Sequence, residues 1–449
     1  MSSKWLLTLL IMVGLVAGII AGQMLYDPNF KITMSDAEHA HPTALFTFYF
    51  IGDTVFLGLL KMLIIPLIAT SVIVGVTSVG DFRDLGKVGI VTLVYYVATM
   101  AIAATIGLIL VTSIQPGKRI SDADVQAGEQ TYEAKEDIQE NIAQGPSGML
   151  GAMQNLVKQI IPKNIIGAAA RGQALPVIFF SLMLGIVITT LGDKSAILID
   201  FFGALFEAIM KLVQLVIWMT PVGVFSLLTW TVARIGLASF GQAIGGYMIT
   251  VTLGLAIHGF VVLPLVCVLF ARCNPFKFMH QMRQAMMTAL GTDSSSATLP
   301  VTIECATQNA GISKRSAGFV LPLGSTINMD GTALYEAVAV VFLAQAYGIQ
   351  LELPQLVLVA ITATLAAIGA AGIPSAGLVT MVIVINAVNP SLEAMGKDTI
   401  PIAAIGLIIG VDRILDMMRT TVNVWGDAVG AKIVDAIDKR SAVSRQRSA

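Results

Sequence analysis

Residues 411–429 read VDRILDMMRTTVNVWGDAV. Wound at 3.6 residues per turn with Asp412 as zero, Asp416 falls at about 40°, Arg419 at about −20° and Thr420 at about 80°. Asn423 falls at about 20° and Asp427 at about 60°. These polar side chains share an arc of roughly 100°. The rest of the girth is mostly Ile, Leu, Met, Val and Trp, with Arg413 at the edge of the arc. A charge at the bilayer centre costs about 2.5–3.5 kcal/mol on insertion scales, so four ionisable groups on one face require internal partners. A helix lying on a membrane surface would carry more lysine over a wider polar face. The competing reading is a purely structural ion-pair network. The mixture of groups suits a zwitterion: carboxylates for an ammonium, a guanidinium for a second carboxylate.

The surrounding sequence agrees with a membrane setting. Of 449 residues, 56% are hydrophobic and 12% charged, about half the charged share of a soluble domain. Net charge is −1, and no basic patch argues for nucleic acid. Cys267, Cys273 and Cys305 make neither a metal spacing nor a disulfide framework, and the histidines are scattered. No cofactor is expected. Trp5 to Met24 reads as a first membrane helix rather than a signal peptide.

Apolar segments run over 5–25, 45–77, 87–114, 150–192, 195–232, 241–272, 274–308, 313–347, 353–394 and 398–435. Segments 274–308 and 353–394 are each broken at the middle, by Thr292-Asp293-Ser294-Ser295-Ser296 and by Gly369-Ala370-Ala371-Gly372-Ile373-Pro374-Ser375. Small residues also serve close helix packing, but paired breaks in corresponding segments point to a transporter binding site. Loops 27–41 and 122–140 lean acidic, whereas Arg83, Lys87 and the tail 439–447 are basic. The positive-inside rule then places both termini in the cytoplasm. The fold expected is an all-α polytopic membrane protein with eight transmembrane helices and two re-entrant helical hairpins.

A further polar run, Gly324-Ser325-Thr326-Ile327-Asn328-Met329-Asp330-Gly331-Thr332, interrupts segment 313–347. Gly324 and Gly331 would permit local unwinding, and Asn328 and Asp330 offer hard oxygen donors for an alkali cation. A kinked helix with hydrogen-bonded Asn and Asp is the alternative.

Four stretches, SSSATLPVT (294–302), NMDGTALYEA (328–337), GAAGIPSAGLVT (369–380) and DRILDMMRTTVNVWGD (412–427), together resemble the dicarboxylate/amino acid:cation symporter family. That family includes archaeal aspartate transporters and animal excitatory amino acid transporters, and the resemblance covers nearly the whole chain. It implies a homotrimer in the cell (inner) membrane, working as an elevator. Scaffold helices would lie in 1–77 and 150–232, helix 3 of the moving domain in 86–115, and an extracytoplasmic loop in 116–149. The rest of the transport domain would occupy 241–435 and a cytoplasmic tail 436–449. The second hairpin would be the gate.

By motif position, the resemblance gives Arg419 the side-chain carboxylate of the substrate, helped by Thr332. Asp416 takes the ammonium, with Thr420 nearby. Asn423 and the hairpin serines Ser294 and, chiefly, Ser295 take the α-carboxylate, and the backbone around Ile373 and Gly377 closes the lid. One sodium site would use Asp427 with carbonyls of Gly324, Asn328 and Asn423. A second would use Asp330, Asn328 and Thr99. A third would use Thr326 with second-hairpin carbonyls at Ala367, Ile368 and Ala370. Glu336 resembles the proton-carrying glutamate of the animal members, which raises H+ co-transport with K+ return. Its alternative is a buried neutral acid. Asp293, Met100, Ala367 and Ala370 depart from the relatives' pattern. Met100 would weaken the helix 3 sodium site, and Asp293 would either shift its own ionisation or recruit Arg413.

The function expected is L-glutamate and L-aspartate uptake driven by Na+ and H+, since neutral amino acid members lack an arginine at position 419. The alternatives are a neutral amino acid or dicarboxylate symporter of the same family, or an anion or ion channel. A channel would want rings of one charge, and an intramembrane enzyme would want a nucleophile–base pair; neither pattern is present.

Overall fold

A computed structural model describes residues 3–26, 43–77, 82–133, 160–235, 242–368 and 376–448, and among these every regular element is helical. The first is α1 (Ser3–Leu25). Thr43–Tyr49 runs through a π-helical segment, Phe50–Leu57, into α2 (Gly58–Thr77). α3 (Phe82–Ile114) and α4 (Asp122–Glu133) follow. Next come α5 (Ala174–Thr189), α6 (Ser195–Ile217), α7 (Thr220–Ile235) and α8 (Gln242–Ile257). The first hairpin is α9 (Pro275–Thr292) and α10 (Ser295–Glu304). An interrupted helix, α11 (Lys314–Ile327) and α12 (Asp330–Ala346), precedes the second hairpin, α13 (Leu353–Ile368) and α14 (Ala376–Glu393). The last helix is α15 (Gly406–Ser448).

Leu45–Val74, Val88–Arg119, Ile244–Ala271 and Lys314–Ala346 are long and apolar enough to cross a membrane by length and composition. Leu9–Leu25, Pro176–Thr189, Thr220–Trp230 and Leu353–Ile368 are shorter apolar helices. α15, with its charged stripe, does not register as a plain apolar span; it depends on partners inside the bundle. Helical membrane architecture follows from this, because only helices or closed barrels satisfy the backbone in lipid.

Local chemistry fixes the breaks. Asn274 caps α9 by accepting Lys277 N–H at 3.0 Å, with Pro275 in the first turn, where its missing N–H costs nothing. Ser294 caps α10 through Ala297 N–H at 3.1 Å. Ser313 caps α11 through Ser316 N–H at 3.2 Å. Between the hairpin arms Asp293 takes a left-handed conformation, φ 42° and ψ 35°, one that Asp and Asn tolerate better than other side chains.

One expectation needs correction. Unwinding falls at Asn328 (ψ 85°) and Met329 (ψ 57°), while Gly324 and Gly331 lie within regular helix. Those glycines serve close approach instead. A Cβ on Gly331 would sit 2.6 Å from Arg419 O, and one on Gly324 would sit 2.7 Å from the Tyr96 hydroxyl and strike the Asp427 carboxylate. The described part of the stretch 116–149, expected as a connecting loop, includes helical turns. Pro116–Arg119 forms a 3-10 turn before α4. Asp124 Oδ2 accepts the Ser121 hydroxyl at 2.6 Å and the Ser121 N–H at 3.1 Å. These two bonds hold the Asp124 carboxyl below its ordinary range. Tyr347 then ties α4 down by donating to Glu129 Oε1 at 2.8 Å.

α12 and α15 form the centre of the bundle. Every residue from Asp330 to Ala344 is buried, and α15 packs on α9, α11 and α12. Trp425, 1% exposed, pins α15 to the span Ile244–Ala271 by donating to Gly259 O at 3.0 Å.

Candidate functional site

The stripe on α15 faces inward. Asp412, Asp416, Arg419, Thr420, Asn423 and Asp427 are each at most 4% exposed. Their charges meet protein partners rather than lipid. Arg419 Nε donates to Asp416 Oδ1 at 2.8 Å and Nη1 to Asp412 Oδ1 at 3.2 Å. The guanidinium carbon lies 4.3 Å from the centre of the Tyr335 ring, within cation–π range. The Tyr335 hydroxyl donates to the same Asp412 Oδ1 at 2.7 Å. A Cβ on Gly377 would meet Arg419 Nη1 at 2.8 Å and Cζ at 3.0 Å, so the start of α14 lies directly against the guanidinium. Only glycine allows that approach.

The neighbouring polar groups are held from the same helices. Thr420 Oγ1 donates to Asp416 Oδ1 at 3.4 Å. Asn423 Oδ1 accepts Gly331 N–H at 2.7 Å, and its Nδ2 reaches Thr332 Oγ1 at 3.4 Å. Thr332, Gly377, Asp416, Arg419, Thr420 and Asn423 therefore form one contiguous set. The first-hairpin serines Ser294 and Ser295 are buried at the tip, where the Ser294 hydroxyl serves as a helix cap. Asp293 next to them pairs with Arg413, Nε lying 2.7 Å from Oδ2. Of the two outcomes expected for this extra acid, recruitment of Arg413 is what the geometry displays. Ile373 lies outside the described residues.

One turn further along α15, Asp427 Oδ1 accepts Asn328 Nδ2 at 3.0 Å, beside Gly324. Asp330 is fully buried, and neither of its oxygens accepts a hydrogen bond among the described residues. His258 Nε2 stands 3.2 Å from Asp330 Oδ2. Thr99 Oγ1 lies 3.5 Å from Asn328 Oδ1, while the expected hydroxyl beside it is replaced by Met100, whose Sδ accepts Met329 N–H at 3.4 Å. A buried carboxylate without donors is costly. Asp330, the Asn328 amide and the Thr99 hydroxyl together offer the hard oxygens that an alkali cation takes. Among the described residues no group of three or more His, Cys, Asp or Glu could hold a metal. Of the third set, Thr326 donates to Leu323 O at 3.1 Å. Ala367 and Ile368 end α13, and Ala370 lies outside the described residues.

Glu336 is fully buried on α12, with Oε1 accepting the Thr380 hydroxyl from α14. Its Oε2 has no hydrogen-bond partner among the described residues.

Sequence reasoning passed over three participants. Tyr335 stood in a quoted motif, three residues after Thr332 and so on the same face, yet received no role. Asp412 was on the stripe but unassigned. His258 was set aside as one scattered histidine, although an ionisable group in a long apolar segment is a functional candidate by default.

Comparison with known proteins identifies the family. The sequence profile of the Sodium:dicarboxylate symporter family matches residues 7–437. Excitatory amino acid transporter 3 of Homo sapiens is 40% identical over 440 residues, covering 90% of this chain and 82% of that protein. The same transporter of Oryctolagus cuniculus is 38% identical over 477 residues, 98% of this chain and 87% of that protein. An excitatory amino acid transporter of Caenorhabditis elegans is 39% identical over 428 residues, 87% of this chain and 83% of that protein.

Proposed function

Because the chain belongs to the Sodium:dicarboxylate symporter family, we propose that it takes up L-glutamate and L-aspartate in symport with sodium and protons. It is a multi-pass membrane transporter and not an enzyme. The observation that carries the substrate assignment is Arg419. This buried guanidinium is gripped by Asp412 and Asp416, backed by Tyr335 and covered by Gly377. Its planar fork matches a carboxylate bidentately, and Asp416 beside it suits an ammonium. The names of the relatives, excitatory amino acid transporters, support the same reading.

Sodium would be carried as a co-substrate by Asp427 with carbonyls of Gly324, Asn328 and Asn423, and by Asp330 with Asn328 and Thr99. Thr326, Ala367, Ile368 and Ala370 would supply the third site. Glu336 would carry the proton and potassium would reset the carrier. The hydrogen bond from Thr380 supports that role, because protonation at Glu336 would act on α14, the second arm of the gating hairpin.

The working unit would be a homotrimer in the cell membrane with both termini cytoplasmic, eight spans and two hairpins. Each protomer would move residues 86–115 and 241–435 against a scaffold of residues 1–77 and 150–232. The exposed ion pair Lys314–Glu207 at 2.8 Å and the hydrogen bond from Gln214 Nε2 to Glu304 Oε1 at 3.1 Å cross that boundary. Exposed ion pairs contribute about 0–1 kcal/mol, weak enough to exchange as the domain slides. Gly291 lets the first hairpin lie close against the scaffold, since a Cβ there would sit 2.6 Å from Val224 Cγ2.

The test is uptake of labelled aspartate into proteoliposomes under separately imposed sodium, proton and potassium gradients. The reading predicts concentrative uptake driven by sodium and augmented by an opposing potassium gradient. Dissipative flux with no coupling would favour a channel.

A further inference from the structure

Asp293 and Arg413 have no part in the substrate and cation roles set out above, yet they stand at the point where the first hairpin meets α15. The Asp293 side chain is 1% exposed, and that of Arg413 is 29% exposed. Asp293 sits in left-handed backbone directly between Thr292, which ends α9, and Ser294, which caps α10. Arg413 follows Asp412, the residue that holds both Arg419 and Tyr335. Arg413 shares its helix with Asp412, Asp416 and Arg419, which are joined to one another by hydrogen bonds. Without Arg413 the cluster of Asp293, Asp412, Asp416 and Arg419 would set three carboxylates against a single guanidinium, an excess of negative charge facing a substrate that is itself anionic. Arg413 removes one unit of that excess.

We propose that Arg413 is a charge-balancing residue for acidic-substrate binding, neutralising Asp293 at the first-hairpin tip. The proposal rests on the reading that the substrate is an acidic amino acid. It makes the two positions interdependent: Asp293 harms binding only when Arg413 is absent.

The test is sodium-driven uptake of labelled L-aspartate into proteoliposomes by the wild type, Arg413→Met, Arg413→Lys, Asp293→Asn and the Arg413→Met/Asp293→Asn double variant, with KM and kcat read separately. Like-charge repulsion predicts that Arg413→Met raises KM at least about tenfold with kcat within about twofold of wild type, while Arg413→Lys and Asp293→Asn stay within about threefold. The double variant returns KM to within about threefold of wild type, which loss of packing alone would not do. An Arg413→Met KM within about twofold of a working wild type, or a tenfold KM rise in Asp293→Asn alone, overturns the role. So does a double variant no better than Arg413→Met. The Asp293→Asn arm decides even if Arg413→Met fails to fold. A wild type that accumulates no acidic amino acid overturns the substrate assignment, a result distinct from a working wild type indifferent to Arg413.

Discussion

Tyr335 offers a graded test of how the site holds its guanidinium. Tyr335→Phe deletes the 2.7 Å hydroxyl bond to Asp412 Oδ1 and leaves the ring under Arg419 at 4.3 Å. Hydrogen bonds to charged groups contribute about 1.5–3 kcal/mol. The oxygen that loses its donor is the one Arg419 Nη1 reaches at 3.2 Å, and Asp412 Oδ2 already lacks a partner among the described residues. The loss therefore loosens the orientation of Arg419. If it appears wholly as a smaller binding-competent population, the dissociation constant for aspartate rises by about 10- to 150-fold. Tyr335→Leu removes the ring as well. A desolvated cation–π contact adds about 2 kcal/mol, so the leucine variant falls roughly 30-fold below the phenylalanine one. Calorimetric titration of aspartate in saturating sodium, on detergent-purified protein, reads both steps. Affinities of both variants within twofold of wild type would refute the reasoning, because Arg419 would then owe its orientation to the carboxylates alone.

Three further outcomes follow from the same geometry. Gly377→Val places its side chain within 3.1 Å of three guanidinium atoms, so aspartate uptake falls at least about tenfold while the melting temperature holds within a few degrees; unchanged KM would show that the lid lies elsewhere when substrate binds. Gly331→Ala drives a methyl into the Arg419 backbone, which cannot swing aside, and the cost of about 1–3 kcal/mol appears as a lower melting temperature in scanning fluorimetry. Glu336→Gln keeps the partner for Thr380 but cannot carry a proton. Sodium-driven uptake persists in that variant and the uptake-coupled alkalinisation outside the vesicles disappears, whereas an equal proton flux would remove Glu336 from the role.

The helical membrane fold was legible because its signals are local. Periodicity put the α15 stripe on one face, and burial of all six of its polar groups agrees with that arc. The break at Asp293 and Ser294 was legible as a polar run in the middle of an apolar segment. Gly324 and Gly331 were misread because a glycine next to polar residues signals unwinding and close approach alike, and only the neighbouring helix decides between them. Tyr335, Asp412 and His258 stayed without roles for the same reason. Their partners are 77 residues away in sequence for Tyr335–Asp412 and similarly remote for His258–Asp330, so no window along the chain joins them. The departure at Asp293 was visible as an anomaly, but its answer in Arg413 needed the hairpin folded onto α15.

The central claim is that Arg419 selects an acidic amino acid. Its most direct measurement is the uptake of labelled aspartate and of a neutral amino acid by wild type and Arg419→Cys under the same inward sodium gradient. Losing a charge-assisted bidentate contact of about 3–6 kcal/mol predicts that the variant's kcat/KM for aspartate falls by at least about a hundredfold, with relative preference moving toward the neutral substrate. An Arg419→Cys protein that concentrates aspartate with wild-type affinity would contradict the account.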